Sequence, residues 1–128
     1  MILHEPELIE EYSDKGYWGD RTLLDRFAAN RAAYPDREAV VDPPNRDELV
    51  GTPPQRLSWA EFGRAVDATA AELARRGFGK DDLLVAQLPN IWELAMLYLA
   101  AAKAGGLLSA LPLQWRSKDV GYVKEITS

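Results

Sequence analysis

Few residues in this chain could do chemistry. A single histidine, His4, stands near the N-terminus, and there is no cysteine. A serine–histidine pair would have to draw its base from a terminal segment, where order is usually lowest. With no thiol and one imidazole, neither a disulfide nor a thiolate or His-rich metal site can be assembled. Asp81 and Asp82 are adjacent, so their carboxylates point apart and cannot flank a scissile bond. They are expected in a solvated turn. Gly105-Gly106 is a glycine pair, but it lacks the G-K-[ST] element that cradles phosphate. Its expected role is to end a helix packed closely against a strand. Trp59 and Trp92, two of four tryptophans, fall in the first turns of expected helices and should pack in the core. The segment Pro112-Leu113-Gln114-Trp115-Arg116 is expected to form a loop, in which the plain role of Arg116 is an ion pair, or solvation of the loop.

The elements that would position these residues follow from composition and periodicity. The 128 residues suit one domain with a real core. An apolar fraction of 47% and a charged fraction of 27% are ordinary globular values. Net charge is −5, without the clustered basic face of a nucleic-acid binder. The most apolar window, residues 91–102, carries Glu93 and is too short to span a bilayer. Met1–Leu3 leads into acidic residues and not into the apolar core of a signal peptide. A cytoplasmic location is therefore expected.

Residues 1–21 are polar and acidic, and read as an N-terminal arm pinned over the body by Tyr17 and Trp18. From residue 22 to 128 the pattern is that of an α/β subdomain with about four helices. Thr22 can cap a helix that places Asp25 in its first turn and ends at Tyr34-Pro35. Residues 38–42 form a short strand. Residues 43–54, with four prolines, several charges and a glycine, are expected to form a surface loop. Ser58 and Glu61 have capping-box spacing at the head of a helix whose apolar face is Trp59, Phe62, Ala65, Val66, Ala70 and Leu73. Gly77 supplies the left-handed residue after Arg75-Arg76, with Phe78 folding back. Residues 83–88 are a strand apolar enough for burial on both faces. Asn90, with Glu93 three residues on, caps an interior helix over 91–104. Gly105-Gly106 stops it, and residues 107–111 form a second strand. The two strands should be parallel across this crossover. Ser117 caps a last helix running through Tyr122, Val123 and Ile126. No internal repeat is present.

In this order, the words of the sequence resemble the N-terminal region of the adenylate-forming superfamily: acyl-CoA synthetases, aryl-acid AMP ligases and peptide-synthetase adenylation domains. Glu11-Tyr12 with Gly16-Tyr17-Trp18 and Thr22-Leu23 is similar to the N-terminal arm of its aryl-acid and medium-chain members. Pro35-Asp36 followed by Ala39-Val40-Val41-Asp42 is similar to their first strand. Leu57-Ser58-Trp59-Ala60-Glu61-Phe62 resembles the core motif usually written L-T-Y-x-E-L. Ala102-Lys103-Ala104-Gly105-Gly106, running on to Pro112, resembles K-A-G-x-x-x-x-P. Between these two lies Leu88-Pro89-Asn90 with Glu93, as in relatives. There are departures. Lys80-Asp81-Asp82 stands where relatives usually carry Gly-Asp, and six residues, not four, separate Gly105 from Pro112. The longer form is more like the aryl-acid branch.

The resemblance implies the N-terminal fragment of an ATP-dependent acyl-CoA synthetase, a fatty-acid or aryl-acid CoA ligase working through an acyl-AMP. ATP, magnesium and coenzyme A are implied for the whole enzyme. Their phosphate loop, ribose-binding aspartate and lid lysine would lie downstream of these residues, so no catalytic residue and no metal ligand is expected here. Arg116 is the one residue for which the resemblance implies a cofactor contact, with the nucleotide of coenzyme A. The chain alone should be inactive. Its partner is expected to be the remainder of the parent enzyme, or a second copy joined through an exposed sheet edge. The alternative reading is a stand-alone binding or assembly module built on the same subdomain. A small enzyme in its own right lacks any nucleophile–base set to support it.

Overall fold

The computed structural model describes residues 4–127, without the side chains of Lys124, Ile126 and Thr127. The expectations resting on Met1–Leu3 and on the Ile126 side chain lie outside the described residues. The elements run α1 (Pro6–Asp14), α2 (Leu23–Ala33), β1 (Glu38–Val41), α3 (Arg46–Val50), β2 (Arg56–Ser58), α4 (Trp59–Arg75), β3 (Leu83–Ala86), α5 (Trp92–Ala104), β4 (Leu107–Ala110) and α6 (Ser117–Thr127).

The starts of α2 and α4 form as the sequence leads one to expect. At α2 the Asp25 N–H donates to the Thr22 hydroxyl (3.2 Å), and the Thr22 N–H donates back to the Asp25 carboxylate (2.8 Å). Ser58 and Glu61 repeat this exchange at α4, at 3.2 and 2.9 Å. Each box satisfies two donors that helix geometry leaves without partners. The end of α4 is also as read. Gly77 takes φ +90°, its N–H reaches the Ala74 carbonyl (2.9 Å), and the Phe78 N–H reaches Leu73 (3.0 Å). That pair of bonds closes the last turn.

α4 buries Phe62, Val66 and Ala70. Phe62 and Val66 meet Leu99 of α5 in a core onto which Leu24, Phe27, Val40, Leu57, Trp92 and Met96 also pack. The Phe27 ring stands edge-on to Phe62 at 5.8 Å. Burying side chains of this size stabilises by about 1.5–3 kcal/mol each, so this junction of α2, α4 and α5 anchors the fold. β3 and β4 pair in parallel, Leu83 beside Leu107 through Ala86 beside Ala110, as the strand–helix–strand pattern predicts. β1 and β2 form a separate antiparallel pair.

Other expectations need correction. The arm contains a helix, α1, begun by Pro6 at its first position. Tyr17 and Trp18 turn their ring contacts inward, each meeting Tyr12 edge-on at 5.7 and 5.2 Å, and Tyr17 stays exposed. Residues 56–58 form strand β2 before α4 begins. β3 is half-buried, with Val85 open to solvent, so it is not covered on both faces. α5 is helical but not wholly interior: Leu99, Ala100 and Ala101 are buried, whereas Tyr98 is exposed. Ser117 lies inside α6, whose start is secured by the Arg116 N–H donating to the Asp119 carboxylate (2.9 Å).

The largest correction concerns residues 43–54. They hold the short helix α3 and one of the most buried charges among the described residues, Arg46. Its guanidinium donates to Asp42 (2.9 Å), to both oxygens of Glu93, and through Nε to the Thr52 hydroxyl (3.0 Å). Asp42 in turn accepts from the Gln55 N–H (3.0 Å) and the Trp92 N–H (2.9 Å). The cap of α5 therefore comes from Asp42, fifty residues upstream, and not from Asn90. Ile91 occupies the cap position with no side-chain bond, and Glu93 faces Arg46 instead of its own helix start.

Candidate functional site

The C-terminal ends of β3 and β4 lie side by side, and two connections leave from them. After β3 the chain passes through Gln87 to Pro89. After β4 the Leu111 N–H makes a last bond to the Ala86 carbonyl (2.8 Å), and Pro112 then turns the chain away. The Trp115 N–H closes that turn onto the Pro112 carbonyl (3.1 Å). α6 starts at once, held by Asp119. Gln87, Trp115, Arg116, Ser117, Val120 and Gly121 line an open hollow of about 570 Å³ beside this turn. In open α/β sheets, ligands bind beyond the carboxyl ends of the strands. The hollow occupies that position.

Arg116 is the cationic residue of this lining. Its Nη1 donates to the Leu113 carbonyl (3.1 Å) and lies 3.5 Å from that of Trp115. These bonds fold the side chain back over its own turn. Both use Nη1 alone. A guanidinium held in this way is ordered yet exposed, and suits an anion such as a phosphate ester. The structure joins Arg116 to one residue that sequence reasoning passed over, Gln87. Its side-chain amide donates to the Pro112 carbonyl (2.7 Å) and to the Trp115 carbonyl (3.0 Å). Its position just ahead of Leu88-Pro89-Asn90 was the available signal.

The remaining candidates are dispersed. His4 is exposed and lies near the Trp18 ring, 5.2 Å between centroids, within the arm. Asp82 holds its turn by accepting from the Gly79 N–H (2.8 Å). Asp81 has φ +68°, a left-handed conformation that favours glycine. Gly105 has φ +97°, and a Cβ on Gly106 would lie 2.8 Å from the Asp82 carbonyl oxygen and against the Phe78 ring. The glycine pair thus ends α5 and lets it approach β3. The rings of Trp59 and Phe27 pack together (5.8 Å), and Trp92 packs against the core. Among the described residues, no group of histidines and carboxylates is arranged to hold a metal ion. No described helix is long and apolar enough to cross a membrane.

The electrostatics favour structure over catalysis. Burial raises the Asp42 pKa, but the N–H groups of Trp92 and Gln55 and the Arg46 guanidinium outweigh it and hold the carboxyl below its ordinary value. Hydrogen bonds donated to Glu93, opposed by burial, raise the Arg46 pKa. Asp67 is lowered by hydrogen bonds from Lys103 and then Arg31, which both reach it from other helices (2.6 and 2.7 Å). Each of these groups has its charge fixed, whereas an acid–base catalyst needs one that changes near working pH.

The family profile described as AMP-binding enzyme matches residues 27–126, most of the chain. The chain belongs to the AMP-binding enzyme family. It corresponds to the N-terminal region of the adenylate-forming fold. Enterobactin synthase component E of Escherichia coli is 32% identical over 121 residues, 94% of this chain and 20% of that protein. The salicyl-AMP ligase / salicyl-S-ArCP synthetase of Mycobacterium tuberculosis is 31% identical over 91% of this chain and 20% of its own length. The apo structure of Mycobacterium smegmatis MbtA superposes with a TM-score of 0.80 at 26% identity, over 97% of this chain and 22% of that one. The Klebsiella oxytoca NpsA N-terminal subdomain shares the fold at a TM-score of 0.66 and 21% identity, over 82% of this chain and 25% of that one. This AMP-binding family chain spans about a fifth of the length of the curated relatives it matches.

Proposed function

We propose that this chain is the N-terminal segment of an ATP-dependent, AMP-forming acid ligase that delivers its acyl group to coenzyme A. Within such an enzyme the segment is a scaffold with one ligand contact, Arg116, and no reacting group. The observation that carries this reading is the family match across residues 27–126. An aromatic acid is the favoured substrate. The similarity to a salicyl-AMP ligase and the six residues between Gly105 and Pro112 support it. A medium-chain fatty-acid–CoA ligase of Escherichia coli is also similar, at 28% identity over 88% of this chain and 18% of that protein.

The reaction has two steps. A carboxylate oxygen of the acid attacks the α-phosphorus of ATP and pyrophosphate leaves, forming the acyl-AMP. A thiol then attacks the acyl carbon, loses its proton, and AMP leaves. The first step replaces a poor leaving group with a good one. The residues described here do not fit the ATP or magnesium of that step, having neither a phosphate loop nor a metal-holding cluster. Arg116 fits the phosphate-bearing nucleotide of coenzyme A, beside the ends of β3 and β4.

Two measurements on an enzyme carrying this chain test the reading. Pyrophosphate should exchange into ATP only when a carboxylic acid is present, and aromatic acids should support faster exchange than aliphatic ones. No exchange with either class would refute the activity. Arg116→Ala should raise the apparent coenzyme A requirement about tenfold, as expected for one charge-assisted bond, and leave pyrophosphate exchange nearly unchanged. Equal losses in both half-reactions would make Arg116 a folding residue.

A further inference from the structure

The loop that carries Arg116 is held from outside as well as by its own turn. Its two ends present backbone carbonyls, those of Pro112 and Trp115, toward Gln87 on the other connection. One side-chain amide nitrogen bridges them at 2.7 and 3.0 Å. The Pro112 carbonyl also accepts the Trp115 N–H (3.1 Å), so the same oxygen anchors both the turn and the clamp. Arg116 follows directly and donates back into this turn at Leu113. Its backbone N–H meets Asp119, and its carbonyl accepts from the Asp119 and Val120 N–H groups (2.9 and 3.1 Å). From Gln87 to the first turn of α6 there is thus one continuous chain of hydrogen bonds. Gln87 is the member that ties it to the sheet, because it follows Ala86 at the end of β3.

We propose that Gln87 is a positioning residue, which clamps the turn at Pro112–Trp115 and so fixes where Arg116 is presented to a phosphate-bearing ligand. This rests on the reading of Arg116 as a coenzyme A contact. Only a donor can perform the task, since both partners are carbonyl oxygens. Glutamine supplies two N–H bonds from one uncharged nitrogen, and glutamate would place repulsive oxygens against both carbonyls. A residue with no hydrogen-bond donor leaves the turn to water and frees Arg116 to scatter over several poses, at a cost in binding.

The test compares Gln87→Met and Gln87→Glu with the unmodified protein. In this chain, amide hydrogen exchange at Trp115, Arg116, Asp119 and Val120 should accelerate about tenfold in both variants, the scale expected for losing one or two net hydrogen bonds. Amides of α4 should not change. In the enzyme that carries the chain, Gln87→Met should raise the KM for coenzyme A about fivefold with little change in kcat. The same substitution should add nothing once Arg116 is alanine. Unchanged exchange in the loop overturns the clamp, and so does acceleration spread through α4 and α5. If Arg116→Ala raises the KM and Gln87→Met does not, the positioning role is overturned. If loop exchange accelerates but neither substitution moves the KM, the coenzyme A reading fails and the clamp stands.

Discussion

Arg46 has a side chain only 5% exposed, lying between the carboxylates of Asp42 and Glu93. A buried pair of this kind contributes little over an apolar replacement, and Asp42→Ala leaves Arg46 paired to Glu93 alone. The substitution should cost about 2–4 kcal/mol, from the weakened ion cluster and the orphaned backbone donors, read as a lower urea midpoint at pH 7. It would also leave the Trp92 and Gln55 N–H groups without their acceptor. The sign of the pH dependence follows from the depressed Asp42 pKa. The carboxylate's contribution is complete above its unfolded value of about 4 and is lost as pH falls through the lower folded value. The gap between the unmodified protein and the Asp42→Ala variant should accordingly narrow in acid. Little of this was legible in the sequence. Prolines and charges correctly mark residues 43–54 as a connection, but periodicity cannot show that Arg46 turns inward. The partner of Glu93 is hidden from the sequence for the same reason. The spacing of Glu93 from Asn90 satisfies a local rule, and a stronger partner from a distant segment overrides that rule.

At the scale of elements, the features legible in the sequence are those whose partners lie within a few residues. Thr22 with Asp25, Ser58 with Glu61, and Gly77 with Phe78 need nothing from elsewhere, and all three form. The parallel strands were legible because an apolar strand, a helix and a second strand leave few ways to connect. Composition alone overstates burial. β3 and α5 carry apolar residues on faces that this chain leaves open, and composition does not say which face is covered. Glycines give a paired test. Gly106→Ala would press a Cβ against the Asp82 carbonyl oxygen, and it should destabilise by about 1–3 kcal/mol, as overpacking does. Gly121, inside α6 with nothing within 4 Å of such a Cβ, should behave oppositely. Gly121→Ala should gain up to about 1 kcal/mol from helix propensity. Urea midpoints of the two variants would move apart, and a shift in the same direction would contradict this account of the α5–β4 junction.

For the molecule as a whole, the two-stranded β3–β4 sheet has open edges among the described residues, and Val85 and Leu107 are exposed on its strands. Such edges pair with other chains, and apolar patches are buried when a partner is present. The isolated 128-residue chain should therefore self-associate, a twofold dimer being the simplest closed form. Its net charge of −5 opposes this weakly, because repulsion is screened beyond about 8 Å at physiological salt. Light scattering over a dilution series should show mass rising with concentration; a monodisperse monomer throughout would contradict it. The same preparation should not exchange pyrophosphate into ATP.

The cap on α5 also sets an order of assembly. The donor at Trp92 is satisfied by Asp42, across a separation of fifty residues, and Arg46 reaches Glu93 across forty-seven. A peptide of residues 87–106 would carry the strong helix formers of α5 but lack the acceptor for its first turn, and should fray from that end. Closing so long a loop is entropically slow relative to local pairing. The capping boxes of α2 and α4 can form while the chain is still searching. The start of α5 cannot be completed until β1 and the segment around α3 have arrived. Slow steps in refolding should thus respond to changes at Asp42 and Arg46, and be indifferent to changes at Thr22.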